Sequence, residues 1–197
     1  PDTSKFKDER QEAEAVAHYQ ATPQKAYDAI LGMPIPTIAM IRGYCIGGGT
    51  AVAVCCDIRI CTENAKFGVP AAKLGLGYGM NRAKPLVDLV GPAYAKEMFF
   101  TGRQFTAQEA EKMGLVNRVV PSDQLLPTAL EWAGRLAQGP SQALSMTKRL
   151  VNNEWHMDLV AALESEAQAQ ALMLMGEDHR LFYEAFKTKS QAKFVGR

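Results

Sequence analysis

The sequence predicts an α/β fold with a mixed α/β front half and an all-helical back half. Three observations carry this. Apolar runs of strand length alternate with glycine-rich and small-residue segments between Thr37 and Val69. From Met80 onward, segments of helical period follow one another almost to the end. The chain has 197 residues, 47% of them apolar, enough for one domain with a proper core and too short for two comfortable ones.

Asp2 to Gln20 is polar and helix-compatible. Pro23 opens a short helix over Gln24–Leu31, which Met33-Pro34-Ile35-Pro36 ends. Thr37–Ile41 is continuously apolar, as expected of a strand covered on both faces. Gly43 to Gly49 reads as a turn, and Thr50–Cys56 as a buried helix of small residues. Ile58–Cys61 and Ala65–Val69 read as further strands. Helices are expected through Asp88, Glu97, Glu109, Trp132, Lys148, Glu164 and Phe182. Thr106-Ala107-Gln108-Glu109 has the pattern of a capping box, and Gly114 ends that helix. Leu115–Val120 is one more short strand, and Pro121-Ser122-Asp123 starts the next helix. The expected organisation is an α/β core over 1–121 and a helical region over 122–197.

Composition excludes several classes. The 22 basic and 21 acidic residues leave a formal charge of +1, which argues against a polyelectrolyte or a nucleic-acid coat. No run approaches the roughly 20 apolar residues of a membrane helix. Cys45, Cys55, Cys56 and Cys61 show no C-x-x-C spacing and read as reduced, largely buried thiols. That points to a reducing compartment such as the cytoplasm. His18, His156 and His179 lie far apart, so no metal site is expected. The chain starts at Pro1 in a polar stretch and reads as a fragment whose leading residues, including any organelle-targeting segment, lie upstream.

The segment Ile38 to Thr50 is the most informative. A strand runs through a triple-glycine turn into a helix, whose first N–H groups lack intrahelical partners. With the helix dipole they favour negative charge, and glycine admits close approach to the backbone. Such a turn holds a phosphate, stabilises an oxyanion on a carbonyl, or merely packs strand against helix. No Lys follows the glycines as in a P-loop, the G-x-G-x-x-G of a dinucleotide turn is absent, and no G-x-S-x-G serine is present.

Gly43-Tyr44-Cys45-Ile46-Gly47-Gly48-Gly49 followed by Cys56-Asp57 resembles the signature of the crotonase (enoyl-CoA hydratase/isomerase) superfamily. Ala65-Lys66-Phe67-Gly68-Val69-Pro70, Leu74-Gly75, Leu89-Val90-Gly91, Thr101-Gly102, Ala107–Ala110, Gly114-Leu115-Val116-Asn117 and Phe182…Ala185-Phe186…Phe194 agree in order and spacing. The resemblance implies a spiral of ββα turns in the front region and helices behind it that build homotrimers, often paired into hexamers. It implies an acyl-CoA substrate, with coenzyme A as part of that substrate and no separate cofactor. It also implies that the backbone N–H of Gly48 is one of two donors to the thioester oxygen. The second donor belongs to a segment upstream of Pro1.

The sequence departs from this pattern at two positions. Family hydratases carry one glutamate two residues after the glycine triplet and another just after the Phe-Gly-x-Pro stretch. Ala51 and Ala71 stand there, and alanine cannot move a proton. Leu74-Gly75-Leu76-Gly77-Tyr78 resembles the Leu-Gly-x-x-Tyr stretch of decarboxylase members, where the tyrosine lies near the departing carboxylate. Tyr78, and secondarily Asn81, are therefore candidate catalytic residues, while Lys73 and Arg82 read as surface charges.

At the C-terminus, Arg180, Lys187, Lys189, Lys193 and Arg197 face a single Glu184, which by composition reads as a solvated basic face. The resemblance places Phe186 and Lys189 against the adenine and 3′-phosphate of coenzyme A bound to a neighbouring subunit. Three functions remain open: a crotonase-class acyl-CoA enzyme with modified chemistry, a decarboxylase-like lyase using Tyr78, and a non-catalytic acyl-CoA-binding subunit. No nucleic-acid or membrane partner is expected.

Overall fold

The computed structural model describes residues 23–154 and 156–197, apart from the side chains of residues 80–82. The expected polar helix over Asp2–Gln20 lies outside the described residues. The chain divides into two compact units. Of the described residues, one holds 23–33 and Thr37–Ala129, and the other holds Pro34–Pro36 and Leu130–Arg197.

In the first unit, residues 23–31 form helix α1. Two parallel-paired layers then grow together. β1 (Ile38–Ile41) leads across Arg42-Gly43 into β2 (Tyr44–Ile46), and α2 (Gly48–Ala53) follows. β3 (Ile58–Thr62) returns beside β1, and β4 (Lys66–Gly68) returns beside β2. Each ββα turn therefore adds one strand to each of two sheets. β5 (Phe105–Thr106) pairs antiparallel with β4, and β6 (Arg118–Val120) pairs parallel with β3, giving sheets ordered β1-β3-β6 and β2-β4-β5. A 3-10 turn (Pro70–Leu74), α3 (Met80–Thr101) and α4 (Ala107–Lys112) complete the unit. α3 breaks at Gly91, which sits at φ 74°, and Pro92 restarts it as a first-turn residue.

Two expectations are corrected here. Gly43–Gly49 is not all turn: Tyr44–Ile46 is β2, hidden by its brevity, and the helix begins at Gly48 rather than Thr50. β1 is not covered on both faces. Among the described residues it lies at the edge of its sheet, and Met40 remains 50% exposed.

The register is set by a reciprocal clamp. The Thr37 N–H and hydroxyl donate to one Asp57 carboxylate oxygen at 2.7 and 2.8 Å, and the Asp57 N–H donates to the Thr37 hydroxyl at 3.0 Å. This ties the start of β1 to the start of β3, so Ile38 pairs with Ile58. The core of the unit includes Ile60, Phe67, Leu86, Met98, Phe105 and Leu115, all essentially inaccessible. Each such side chain contributes about 1.5–3 kcal/mol of burial. One cation is buried with them. Arg59 donates through Nε to the Leu115 carbonyl at 2.7 Å, and burial lowers its pKa.

The second unit is helical. α5 (Leu125–Ala137) enters it, and α6 (Ser141–Glu154) packs on α7 (Leu159–Leu174), with α8 (Glu177–Thr188) last. Asp158 caps α7, accepting from the N–H groups of Val160 and Ala161 at 3.0 and 3.1 Å. α7 leaves Leu159, Val160, Leu163 and Leu172 exposed. Among the described residues, no helix is long and apolar enough to cross a membrane.

The capping box forms as expected. The Glu109 N–H donates to the Thr106 hydroxyl at 3.2 Å, and Glu109 Oε2 accepts from the Thr106 N–H at 2.7 Å. Thr106→Ala is expected to lower stability by about 1 kcal/mol in urea unfolding. The Thr106 amide, aided by the Arg103 guanidinium, holds the Glu109 carboxyl below the usual range. Its contribution is therefore present above the unfolded pKa, about 4.3, and is lost as pH falls through the folded value. Glu109→Gln should flatten the acid-side fall in stability, read as urea midpoints across pH 2–5.

Candidate active site

The glycine turn is built from one shared acceptor. Gly47 stands at φ 56° and ψ −107°, a conformation that side chains disfavour, and its N–H donates to the Gly68 carbonyl at 2.8 Å. The buried Thr50 hydroxyl donates to the Cys45 carbonyl at 2.6 Å and lies 3.2 Å from the same Gly68 oxygen. The Gly47 carbonyl in turn accepts the Ala51 N–H at 3.0 Å, which starts α2. Gly48 is the first helical residue, half-buried, and its N–H has no acceptor among the described residues. The turn thus offers the Gly48 N–H at a helix start, between the Gly47 N–H held by the Gly68 carbonyl and the Ala51 N–H held by the Gly47 carbonyl.

Gly68 permits this by having no side chain. A Cβ there would fall 2.8 Å from the Arg103 carbonyl. Below the turn, burial raises the Cys45 thiol to about 11, so it is neutral near pH 7 and no nucleophile.

Tyr78 arrives from the loop between the 3-10 turn and α3. Its hydroxyl donates to the Gly47 carbonyl at 3.5 Å, a long contact. Its ring rests on Phe99, with centroids 5.2 Å apart and planes tilted 36°. A phenol is therefore placed one residue from the Gly48 donor. Gly75, at φ 68°, ends the 3-10 turn and swings the chain toward Tyr78.

Ala51 is only 1% exposed and packs with Tyr27, Cys55 and Ile30. Ala71 opens the 3-10 turn and leans on the core. Neither position supplies a carboxylate. Lys73 is exposed, and its aliphatic stem passes over Gly102, about where a Cβ would sit. Asn81 and Arg82 start α3, and their side chains lie outside the described residues.

Phe186 and Lys189 belong to the second unit. Phe186 is 70% exposed, and its ring stacks on Phe182 with centroids 6.2 Å apart. Lys189 is exposed at the C-terminus of α8 with φ 53°, the single non-glycine positive φ among the described residues. Gly68, Thr50, Phe99 and Tyr27 were not legible as site residues. Thr50, a lone hydroxyl in a small apolar helix after glycines, was the one available signal.

The enoyl-CoA hydratase/isomerase family model matches residues 4–197. The chain is 36% identical over 179 residues to the crotonyl-CoA hydratase of Syntrophomonas wolfei, covering 91% of this chain and 69% of that protein. It is 36% identical over 154 residues to the short-chain-enoyl-CoA hydratase of Clostridium acetobutylicum, covering 78% and 59%. An enoyl-CoA hydratase/isomerase family protein from Hyphomonas neptunium superposes with a TM-score of 0.94 at 35% identity, over 100% of this chain and 74% of that one. The chain belongs to the enoyl-CoA hydratase/isomerase family, and its front region is the crotonase-type ββα spiral. It spans between 59% and 74% of the length of these three relatives.

Thr50→Val keeps the shape of the side chain but takes the hydroxyl donor from the Cys45 carbonyl. A loss of about 1–3 kcal/mol is expected in urea unfolding. Gly68→Ala must also move the turn, because the atom it meets is backbone. It should reduce acyl-CoA affinity measured by calorimetry, whereas Gly134→Ala, with open space at its Cβ, should not.

Proposed function

We propose that this chain acts on acyl-CoA thioesters by stabilising a thioester enolate at the Gly48 N–H, without the two-glutamate hydration chemistry. The observation that carries this is the turn pinned to the Gly68 carbonyl, which leaves the Gly48 donor at the start of α2. A preorganised N–H stabilises charge as it develops and needs no reorganisation during the reaction. The family supports the thioester as substrate. Coenzyme A enters as part of that substrate, and the chemistry needs no separate cofactor.

Ala51 and Ala71 argue against water addition by paired carboxylates. General acid–base groups commonly contribute about 10²–10⁴-fold, so hydration through this site should be slow. A decarboxylase-like lyase is the favoured alternative, because the Tyr78 hydroxyl lies at the Gly47 carbonyl. In that reaction the carbon–carbon bond to the substrate carboxylate breaks and CO₂ leaves. The bonding pair becomes the enolate held by Gly48, and a proton from Tyr78 or water then completes the α-carbon. Its first step requires no base. A binding subunit without turnover is the remaining alternative.

For acyl-CoA bound to a neighbouring subunit, Phe186 offers an exposed ring and Lys189 an ammonium, suited to adenine and the 3′-phosphate. The exposed leucines of α7 support assembly into a homotrimer or a dimer of trimers.

Incubation with crotonyl-CoA and with malonyl-CoA, read by mass spectrometry, tests the reading. Loss of CO₂ from malonyl-CoA supports the lyase, and rapid addition of water to crotonyl-CoA overturns the case against hydration. Binding of both without turnover leaves the binding subunit. Tyr78→Phe is expected to lower the lyase kcat by about 10²-fold with acyl-CoA affinity near normal. Unchanged turnover would remove Tyr78 from the chemistry.

A further inference from the structure

Residues 190–197 fold back along α8, and one side chain holds them at its opposite end. Asp178 lies in the first turn of α8 and is 7% exposed. Its Oδ1 accepts the Val195 N–H at 2.6 Å and the Gly196 N–H at 3.2 Å, and its Oδ2 accepts the Gly196 N–H at 3.0 Å. The Asp178 N–H donates to the Arg197 carbonyl at 3.1 Å, and the Arg197 guanidinium meets Glu177 Oε2 at 2.8 Å. Gly196 stands at φ 78°, where a Cβ would fall 2.5 Å from the Ser141 hydroxyl. A carboxylate taken out of water is thus satisfied by backbone amides alone, in the helix turn whose dipole favours it.

The near end of the tail is equally well defined. The Ser190 N–H donates to the Ala185 carbonyl at 2.9 Å and the Lys189 N–H to the Phe186 carbonyl at 3.3 Å. These are the two bonds of a Schellman motif, with Lys189 in the left-handed position that glycine usually takes. A lysine held there is strained, and strain persists only where its surroundings over-determine it. Between the two ends, Phe194 and Phe182 line a common cavity of about 350 Å³, and Phe182 carries Phe186 on its face. Asp178, Phe194 and Phe182 thus border one cavity, and Phe182 carries Phe186 in the last turns of α8, next to Lys189.

We propose that Asp178 is a positioning residue for the nucleotide end of bound acyl-CoA. By closing the tail onto the start of α8 it fixes the left-handed backbone of Lys189 before the ligand arrives. The proposal rests on the reading of Phe186 and Lys189 given above. Without that carboxylate the far end keeps its Arg197 contacts but loses its hold on Val195 and Gly196, and binding must order more of the lysine that the fold otherwise pre-orders.

The test compares the Kd of butyryl-CoA with that of its 3′-dephospho analogue by calorimetry. It uses wild type, Asp178→Ala, Asp178→Asn, Lys189→Ala and the double variant Asp178→Ala/Lys189→Ala. Wild type should prefer the phosphorylated ligand. Asp178→Ala should weaken butyryl-CoA about tenfold and the dephospho analogue little. Asp178→Asn, whose amide oxygen still accepts from Val195 and Gly196, should fall nearer wild type. The double variant should bind no more weakly than Lys189→Ala, because Asp178 acts through that lysine. Equal weakening of both ligands, no weakening, or additive losses would overturn the proposal. Should Asp178→Ala fail to fold, Asp178→Asn carries the comparison, with a shift of about threefold expected for butyryl-CoA alone. A wild type that does not distinguish the two ligands overturns the reading of Phe186 and Lys189 and this proposal with it. A wild type that distinguishes them, beside an Asp178→Ala that does so equally well, overturns the role of Asp178 alone.

Discussion

The Gly68 carbonyl receives the Gly47 N–H and lies within reach of the Thr50 hydroxyl, and the site is organised around that oxygen. β2 and β4 pair in parallel with Ile46 opposite Gly68, which brings the oxygen to the turn. Once Gly47 is fixed, its carbonyl starts α2 and leaves the next N–H at the helix entrance. The Tyr78 hydroxyl then reaches the Gly47 carbonyl at 3.5 Å. The donor is thus positioned by backbone, which a side-chain substitution on the surface cannot easily disturb. Gly68 sustains the arrangement by its lack of a Cβ, since the Arg103 carbonyl occupies that space.

The chemistry follows from what is missing around this donor as much as from the donor itself. An N–H at a helix start stabilises an enolate however the enolate arises, and leaves open which bond is broken. In a site with two carboxylates the choice falls to them. Here the second residue after the glycines is a methyl group packed on Tyr27 and Cys55, and the other position is an alanine leaning on the core. Beside the buried Thr50 hydroxyl, which is spent on the Cys45 carbonyl, the phenol of Tyr78 reaches the turn. Under the proposed reading, reactions in which the substrate carries its own electron source suit such a turn better than those that activate water.

The parts of this molecule that were legible are the ones written contiguously. The Thr106–Glu109 capping box needs residues three apart, and the strand and helix runs need only local period. The glycine triplet was legible because few alternatives share its pattern. β2 was not, because three residues between glycines give no period to read. The exposure of Met40 depended on β1 lying at a sheet edge, a property of topology rather than of the strand itself. The Asp178 clasp joins residues 17 and 18 positions apart, and nothing near Asp178 marks its partners as backbone amides. Gly68 looked like any strand glycine until the Arg103 carbonyl was seen against it.

The order of strands in the first sheet also governs how this chain must be made. β3 is the central strand, flanked by β1, which precedes it, and β6, whose Arg118 pairs with Ile60 from 58 residues later. On a ribosome adding about 5–20 residues per second, β3 waits for roughly 3–12 seconds before its second neighbour exists. Through that interval one edge of Ile60 and Cys61 is open, although both are fully enclosed in the finished molecule. An open edge of this kind invites pairing with other chains. Between the synthesis of β3 and that of β6 the nascent chain therefore carries a strand edge that the finished molecule closes.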